Sequence, residues 1–417
     1  MSRFKAIEDV WAFLNDIPMF QKSGFSAVNF SLGNIREFCS ELGNPHLDFP
    51  VIHVAGTNGK GTTCYMLEKI YQDAGYKTGL FTSPHLLRYN ERVRVGGEEI
   101  SDESMLEFFQ ISDELFDKIG LSYFEISTAL AFWHFSKQEI ELAFIETGLG
   151  GRFDSTNIVD PEISVITSIG LDHQNILGNT VEEIALEKSG IIKTNKPLVI
   201  GNVEGKAVRV IEREAQKKQV KITYADALEP KWEKGIVSFK TLGVNIPTPL
   251  KESVNRWNVA CAWQVCKLLT SLFPVSDEAF IQSIKTFPGA PGRFEKLHPH
   301  YDWYFSGSHN IQALDASLEA VREITPLKDA VLIFSAMKDK LSSDMLNRLK
   351  PFKMRYFVEQ EGERAAKMKD VASALEVILM DKKNAQIILK ELKTELVIFA
   401  GSFYFYPIVK RWITKVQ

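Results

Sequence analysis

The chain has 417 residues, 45% hydrophobic and 24% charged, a globular composition long enough for two or three domains with their own cores. Its 49 Lys and Arg stand against 53 Asp and Glu, a net charge of −4 that offers no basic footprint for nucleic acid. Cys39, Cys64, Cys261 and Cys266 form no CxxC pair, so a reduced, cytoplasmic chain is expected rather than a disulfide framework or zinc site. Met1–Val10 lacks the apolar run of a leader, and Val397–Val409 is short for a bilayer and holds Gly401 and Pro407, so no membrane role is expected.

Strand–helix alternation runs along the chain. Val51–Ala55 reads as a strand ending in a glycine-rich loop, followed by a helix over Thr62–Ala74 and a strand over Lys77–Thr82. Ser101 caps a helix carrying Met105, Phe108, Phe109, Leu115 and Phe116 that ends at Gly120. Glu141–Thr147 and Glu162–Ser168 read as buried strands, and Thr180 with Glu183 makes a capping box for a helix reaching about Ile191. Pro197–Pro249 reads as less regular, with a strand-like Gly235–Leu242; Asn255–Ser271 is helical. After the Gly/Pro cluster Pro288–Arg293, a second series begins: Trp303–Ser306, a helix near Ala313–Ile324, then Ala330–Ser335, Met354–Val358 and Glu395–Gly401. The expected fold is α/β: an N-terminal domain (1–295) with a mainly parallel sheet, and a smaller C-terminal α/β domain (296–417).

The strongest local signal is Val54-Ala-Gly-Thr-Asn-Gly-Lys-Gly-Thr62. A strand that ends in glycines and opens a helix aims backbone N–H groups and a helix dipole at one place, which suits phosphate, with Lys60 near the outer phosphates and Thr62 or Thr57 near a metal. It is not a standard Walker A, because Val54 stands at the first glycine and Gly61 separates Lys60 from Thr62. Glu146 and His173 end or follow buried strands, at the sheet edge where open α/β folds bind ligands. Taken singly, Glu146 also reads as a helix-facing carboxylate, His173 as a satisfied loop histidine and Lys188 as a solvated partner of Glu183 and Glu187.

The loop Gly56-Thr-Asn-Gly-Lys-Gly-Thr62 resembles the phosphate loop of the Mur-ligase superfamily, in its folate branch, the dihydrofolate synthase/folylpolyglutamate synthase family. Phe81-Thr-Ser-Pro-His-Leu86, Asn90-Glu-Arg92, Tyr123-Phe-Glu125, Glu146-Thr-Gly-Leu-Gly-Gly-Arg-Phe-Asp154, Ser168-Ile-Gly-Leu-Asp-His173, Glu187-Lys-Ser-Gly-Ile-Ile-Lys193, Pro291-Gly-Arg-Phe-Glu295 and Lys338-Asp-Lys340 match the family in order. The resemblance implies a P-loop-type domain joined to a Rossmann-like one, and an ATP- and Mg²⁺-dependent ligase that adds L-glutamate to dihydropteroate or a reduced folate through an acyl phosphate. It implies Ser83, Glu146, His173 and a carbamylated Lys188 as metal ligands. It places Asn58, Gly59, Lys60, Gly61, Thr62, Asn258, Arg293, Ser306 and His309 at the nucleotide. Ser122, Tyr123, Phe124, Glu125, Phe153, Asp154 and Ser155 fall on the pterin side, and Lys60, Glu146, His173 and Lys188 carry the chemistry. Asp172 and the Asp339 region are secondary candidates, and a monomer is expected.

In Ser306-Gly-Ser-His-Asn-Ile311 the chain departs from the family's Asp-x-Ala-His-Asn-Pro, with Ser306 for the aspartate and Ile311 for the proline. Glu252 and Val254 stand where the family prefers glycine and histidine. Two other readings stay open: a Mur-type ligase for another carboxylate, and a non-catalytic nucleotide-binding relative. An NTP-driven motor or kinase fits less well, because Glu146 leads into Thr147 and glycines rather than forming a Walker B aspartate.

Overall fold

The computed structural model describes residues 2–17 and 31–416. It divides into two compact units: Met1–Lys231, Ile236–Thr248 and Arg256–Phe287 form the first, and Trp232–Gly235, Pro249–Asn255 and Pro288–Gln417 the second. Among the described residues, no helix is long and apolar enough to cross a membrane.

Among the described residues, the main sheet of the first unit has eight strands: β1 (Val51–Ala55), β2 (Thr78–Phe81), β3 (Val93–Val95), β4 (Glu98–Glu99), β5 (Leu142–Glu146), β6 (Ile163–Ser168), β7 (Leu198–Asn202) and β8 (Ile222–Tyr224). They lie in the order β4-β3-β2-β5-β1-β6-β7-β8. β1 is parallel to both β5 and β6, with Val54 level with Glu146 and Val165. Among the described residues of this sheet, only the β2–β3–β4 edge is antiparallel. All five residues of β1 and of β5 are buried, as expected of parallel strands covered on both faces. One core holds Phe38, Phe108, Phe109, Phe132 and Phe135. Another packs Ile166, Ile184, Ile200 and Ile211.

Several helices of this unit escape the periodicity reading, among them Ile7–Asp16, Gly33–Glu41, Tyr123–Lys137, Gly205–Lys217 and Asp277–Thr286. Tyr123–Lys137 is capped by Ser122, whose hydroxyl accepts from Glu125 N–H while the Glu125 carboxylate accepts from Ser122 N. It buries Ile126, Thr128, Leu130, Phe132 and His134, residues distributed around its whole circumference, so it has no polar stripe to betray it. Gly205–Lys217 lies inside the stretch read as irregular, flanked by β7 and β8. Its buried face is Ala207, Ile211 and Ala215, flanked by the half-buried Val208 and Val210, an apolar stripe at helical spacing that the reading passed over. The helix expected to run from Ser101 to Gly120 is two, Asp102–Ile111 and Asp113–Lys118, broken at Ser112.

The second unit holds a six-stranded sheet in the order Glu295–Lys296, Trp303–Ser306, Val397–Gly401, Val331–Ser335, Met354–Phe357, Ile378–Leu379. Its strands are parallel except for the Glu295–Lys296 edge, so it is a smaller parallel α/β layer of the expected kind. Its core includes Leu314, Leu318, Leu332, Phe334, Leu346 and Phe357.

Candidate active site

In the first unit, the loop after β1 is braced against the end of β6. Thr57 N donates to Ser168 O (2.8 Å) and Asn58 N to Ser168 Oγ (2.9 Å), while Thr167 and Ser168 hydroxyls donate to Asn58 O. The Thr57 hydroxyl donates to Gly170 O (3.1 Å) and accepts from Gly170 N (3.0 Å), so it serves the loop's own structure rather than projecting from it. Gly59 has φ +86° and caps the helix Lys60–Asp73, a left-handed conformation that favours glycine. There is no room for a side chain in any case: a Cβ on Gly59 would stand 2.4 Å from Asn258 Oδ1. Asn258 therefore lies directly over the loop, and it also accepts from the Thr63 hydroxyl at 3.4 Å. Lys60 Nζ donates back to Gly56 O (3.1 Å), and Thr62 is buried in the first turn.

Glu146, the last residue of β5, is 2% exposed. Its Oε2 accepts from Ser83 N (3.0 Å), so the carboxylate and the serine that follows β2 are in one place. The same oxygen lies 3.2 Å from the position of a Cβ on Gly61. The glycine inserted after Lys60 thus gives Glu146 its seat over the helix's first turn.

Lys188 is the last residue of the helix Val181–Lys188 and is only 4% exposed. Burial first, and then the nearby positive charge of Lys60, bring its ammonium down to about 7, against opposing pulls from Asp172 and Asp154. Taken singly, Lys188 reads as a solvated partner of Glu183 and Glu187, but its side chain is buried. His173 takes a left-handed conformation (φ +48°), and its N–H donates to Asp172 Oδ1 at 2.8 Å. Among the described residues, no three His, Cys, Asp or Glu side chains are grouped to hold a metal ion. A hard cation here would have to draw on Glu146 and His173 together with the Ser83 hydroxyl and a lysine converted to an oxygen ligand, a set whose oxygen content suits Mg²⁺.

The residues read as substrate-side separate into two kinds. Asp154 is buried, accepts from Leu149 N (2.8 Å) and from Thr156 N (3.1 Å), and its carboxyl is pushed upward by burial against these hydrogen bonds. Ser155 Oγ pairs with Thr128 Oγ1 at 2.6 Å, and Ser122 and Glu125 cap their helix. These four hold the framework. Phe124 packs on Gly148, where a Cβ would be 2.4 Å from its ring, and Phe153 is 43% exposed. Arg92, quoted above only inside a motif, is buried. Its guanidinium sits 5.7 and 5.5 Å from the Tyr89 and Tyr123 ring centres, and its Nε donates to His85 Nδ1 (2.8 Å). That bond fixes His85 as the neutral tautomer, consistent with burial and Arg92 lowering it to about 3.

In the second unit, Ser306 ends a strand and is buried. Its hydroxyl lies 2.5 Å from Ser308 Oγ and 2.7 Å from Ser317 Oγ. Arg293 stacks on Phe403 with its guanidinium carbon 4.3 Å from the ring centre. His309 Nδ1 is 3.0 Å from Gly307 O, and a Cβ on Gly307 would collide with Phe403 at 2.1 Å. Arg293, His309 and the 306–308 turn are therefore gathered around one aromatic ring. Asp339, a secondary candidate, pairs with Arg364 at 3.1 Å.

Residues 54–262 match the family model "Mur ligase middle domain", and residues 292–403 match "Mur ligase, glutamate ligase domain". The chain is 34% identical over 411 residues to the dihydrofolate synthase/folylpolyglutamate synthase of Bacillus subtilis, covering 92% of this chain and 95% of that one. Its fold is similar to Escherichia coli FolC in complex with DHPP and ADP, with a TM-score of 0.85, 30% identity and 98% of each chain covered. The apo form of L. casei FPGS is also similar (TM-score 0.83, 25% identity, 98% of this chain and 100% of that one).

Proposed function

This chain belongs to the dihydrofolate synthase/folylpolyglutamate synthase family of Mur-type, ATP-dependent ligases, and from that premise we propose how its residues join L-glutamate to dihydropteroate or a reduced folate. An oxygen of the folate-type carboxylate attacks the γ-phosphorus of ATP, ADP departs, and an acyl phosphate forms. The glutamate amine then attacks the acyl carbon, inorganic phosphate leaves, and the nitrogen gives up its proton as the amide forms. Positioning and electrostatics carry the first step.

The observation that carries this reading is the seating of the Glu146 carboxylate over the first turn of the loop helix, beside Gly61 and Ser83. The loop's N–H groups, Lys60 and Thr62 receive the phosphates, and Asn58, Gly59, Gly61 and Asn258 shape that cradle. Glu146, His173, Ser83 and carbamylated Lys188 are the residues that would hold Mg²⁺, which when bound offsets charge on the transferring phosphoryl group. A lysine with its pKa brought to about 7 is substantially neutral near pH 7, and the neutral amine is the form that adds CO₂. Arg293, Ser306 and His309 are assigned to the nucleotide as well. Tyr123, Phe124 and Phe153 offer rings to the pterin-bearing substrate, with Ser122, Glu125, Asp154 and Ser155 holding them in place. We assign residues 1–295 to nucleotide and folate and 296–417 to the glutamate-ligase role. Four free, buried cysteines fit a cytoplasmic enzyme.

The test is phosphate release with dihydropteroate or tetrahydrofolate, each with and without glutamate, and with hydroxylamine as trap. Glutamate-dependent phosphate release and a folate hydroxamate are expected. AMP and pyrophosphate as products would replace the acyl phosphate with an adenylate.

A further inference from the structure

The hydroxyls of Ser306, Ser308 and Ser317 form a closed buried triangle, with 2.5, 2.7 and 2.8 Å edges. Three hydroxyls bring three protons, and a triangle alone does not fix which way they point. The Glu252 carboxylate supplies the direction: its Oε1 faces Ser317 Oγ at 2.8 Å, a charged acceptor nearer than the Ala313 carbonyl at 3.1 Å that competes for the same proton. With Ser317 donating to the carboxylate, Ser308 and Ser306 donate down the chain in turn, and each oxygen becomes a better acceptor for doing so. The lone pairs of Ser306, at the strand end, then carry part of the influence of a negative charge that resides elsewhere.

Glu252 is held in place for this. The next residue, Ser253, donates to Glu319 Oε2 at 2.7 Å, so two successive residues bind the segment Pro249–Asn255 to the helix Ile311–Ile324. Glu252 also feels Arg293, whose positive charge opposes the upward push of burial on the Glu252 carboxyl. Arg293 is the guanidinium stacked on Phe403, the ring that closes against Gly307 in the same turn. One half-buried carboxylate therefore faces both the serine triangle and the arginine.

We propose that Glu252 is a positioning residue for the adenine nucleotide: through Ser317 it orients the Ser306 and Ser308 hydroxyls as acceptors, and by its charge it holds Arg293 at the turn that presents His309. The inference rests on the nucleotide reading of Arg293 and His309 above. It also changes what an acid at position 306 would do. Ser306→Asp in the otherwise unaltered chain puts a second carboxylate one hydroxyl away from Glu252, and like charges that close oppose each other.

ADP binding by titration calorimetry, with the ATP KM and kcat and the thermal midpoint of each variant, tests the inference. Glu252→Gln keeps the shape and removes the charge; ADP binding weakens about five- to ten-fold, and the ATP KM rises while kcat moves less. Ser306→Asp alone weakens ADP binding as well. The double variant Glu252→Gln/Ser306→Asp, which restores one carboxylate to the network, recovers most of the affinity. Ser317→Ala loses only a hydroxyl and weakens ADP binding several-fold, giving a readout even where Glu252→Gln folds poorly. Affinity of Glu252→Gln or Ser317→Ala equal to the unaltered chain overturns the proposal, as does a double variant no better than Glu252→Gln. An unaltered chain that binds no ADP overturns the nucleotide reading itself, a separate failure.

Discussion

Gly61 leaves the Glu146 carboxylate its room: a methyl on the first would stand 3.2 Å from Oε2 of the second, tighter than ordinary contact. Gly61 lies in the helix Lys60–Asp73 and its backbone does not demand glycine, so the missing side chain serves the carboxylate. Gly61→Ala should then act on stability and activity in opposite directions. Helix propensity favours alanine by up to about 1 kcal/mol, so the thermal midpoint should hold or rise. The carboxylate must give way by a few tenths of an ångström, and ligase kcat/KM should fall at least ten-fold, since small misplacements of reacting groups are costly. An active Gly61→Ala enzyme would show that Glu146 has slack.

Lys188 should behave as a CO₂-dependent group. With its pKa near 7, the amine is increasingly protonated as pH falls through that value, so activity recovered on adding bicarbonate to CO₂-stripped enzyme should diminish below about pH 7. Lys188→Ala should be inactive yet folded, because the side chain is proposed as a metal ligand rather than as part of the apolar core. Carbon-13 NMR with labelled bicarbonate should show a carbamate signal in the parent and none in the variant.

Acid should destabilise the first unit through His53. The ring is fully buried on β1, its Nε2 lies 2.8 Å from Thr156 Oγ1, and burial lowers it to about 3 from 6.5. Between those values the unfolded chain binds a proton that the folded chain does not. Stability is therefore lost as pH falls from about 6.5 towards 3, by about 1.4 kcal/mol per pH unit for this one group. Urea unfolding between pH 7 and 4 reads the slope, and His53→Gln should reduce it by about one proton whatever it does to the midpoint.

Ser122→Ala should cost about 1–2 kcal/mol, because the cap of Tyr123–Lys137 is reciprocal and the buried Glu125 carboxylate loses a hydroxyl donor at 2.7 Å. Chemical denaturation checks this. The KM for the folate-type substrate should rise with it, since Tyr123 and Phe124 are the first residues of that helix.

The phosphate loop was readable because its signal is local: strand, glycines, lysine and helix follow one another within a dozen residues. The parallel sheet was readable for a similar reason, its central strands being uninterrupted apolar runs. The helix Tyr123–Lys137 was hidden by being buried all round, whereas Gly205–Lys217 was legible at helical spacing and was passed over between prolines and short strands. At the site, Lys188 looked like a surface charge because sequence spacing says nothing about the depth of a helix end. Glu252 registered only as a departure from a pattern, since the hydroxyl it binds lies 65 residues further along.

The loop following Glu146 is stitched to the chain around Lys188. Arg152 N donates to Glu187 O (2.9 Å), and Asn157 Nδ2 donates to Gly190 O (3.1 Å). Gly151 lies so close to Lys188 that a Cβ there would be 2.8 Å from its carbonyl, and a Cβ on Gly190 would be 2.2 Å from the Arg152 Cα. With backbones in direct contact and no side chain between them to re-rotamerise, the stretch from Glu146 to Asn157 and the stretch from Glu187 to Gly190 behave as a single rigid plate. The span from carboxylate to lysine is thus set by a backbone seam rather than by side-chain rotamers. A residue inserted on either side of the seam would shift the register of both at once.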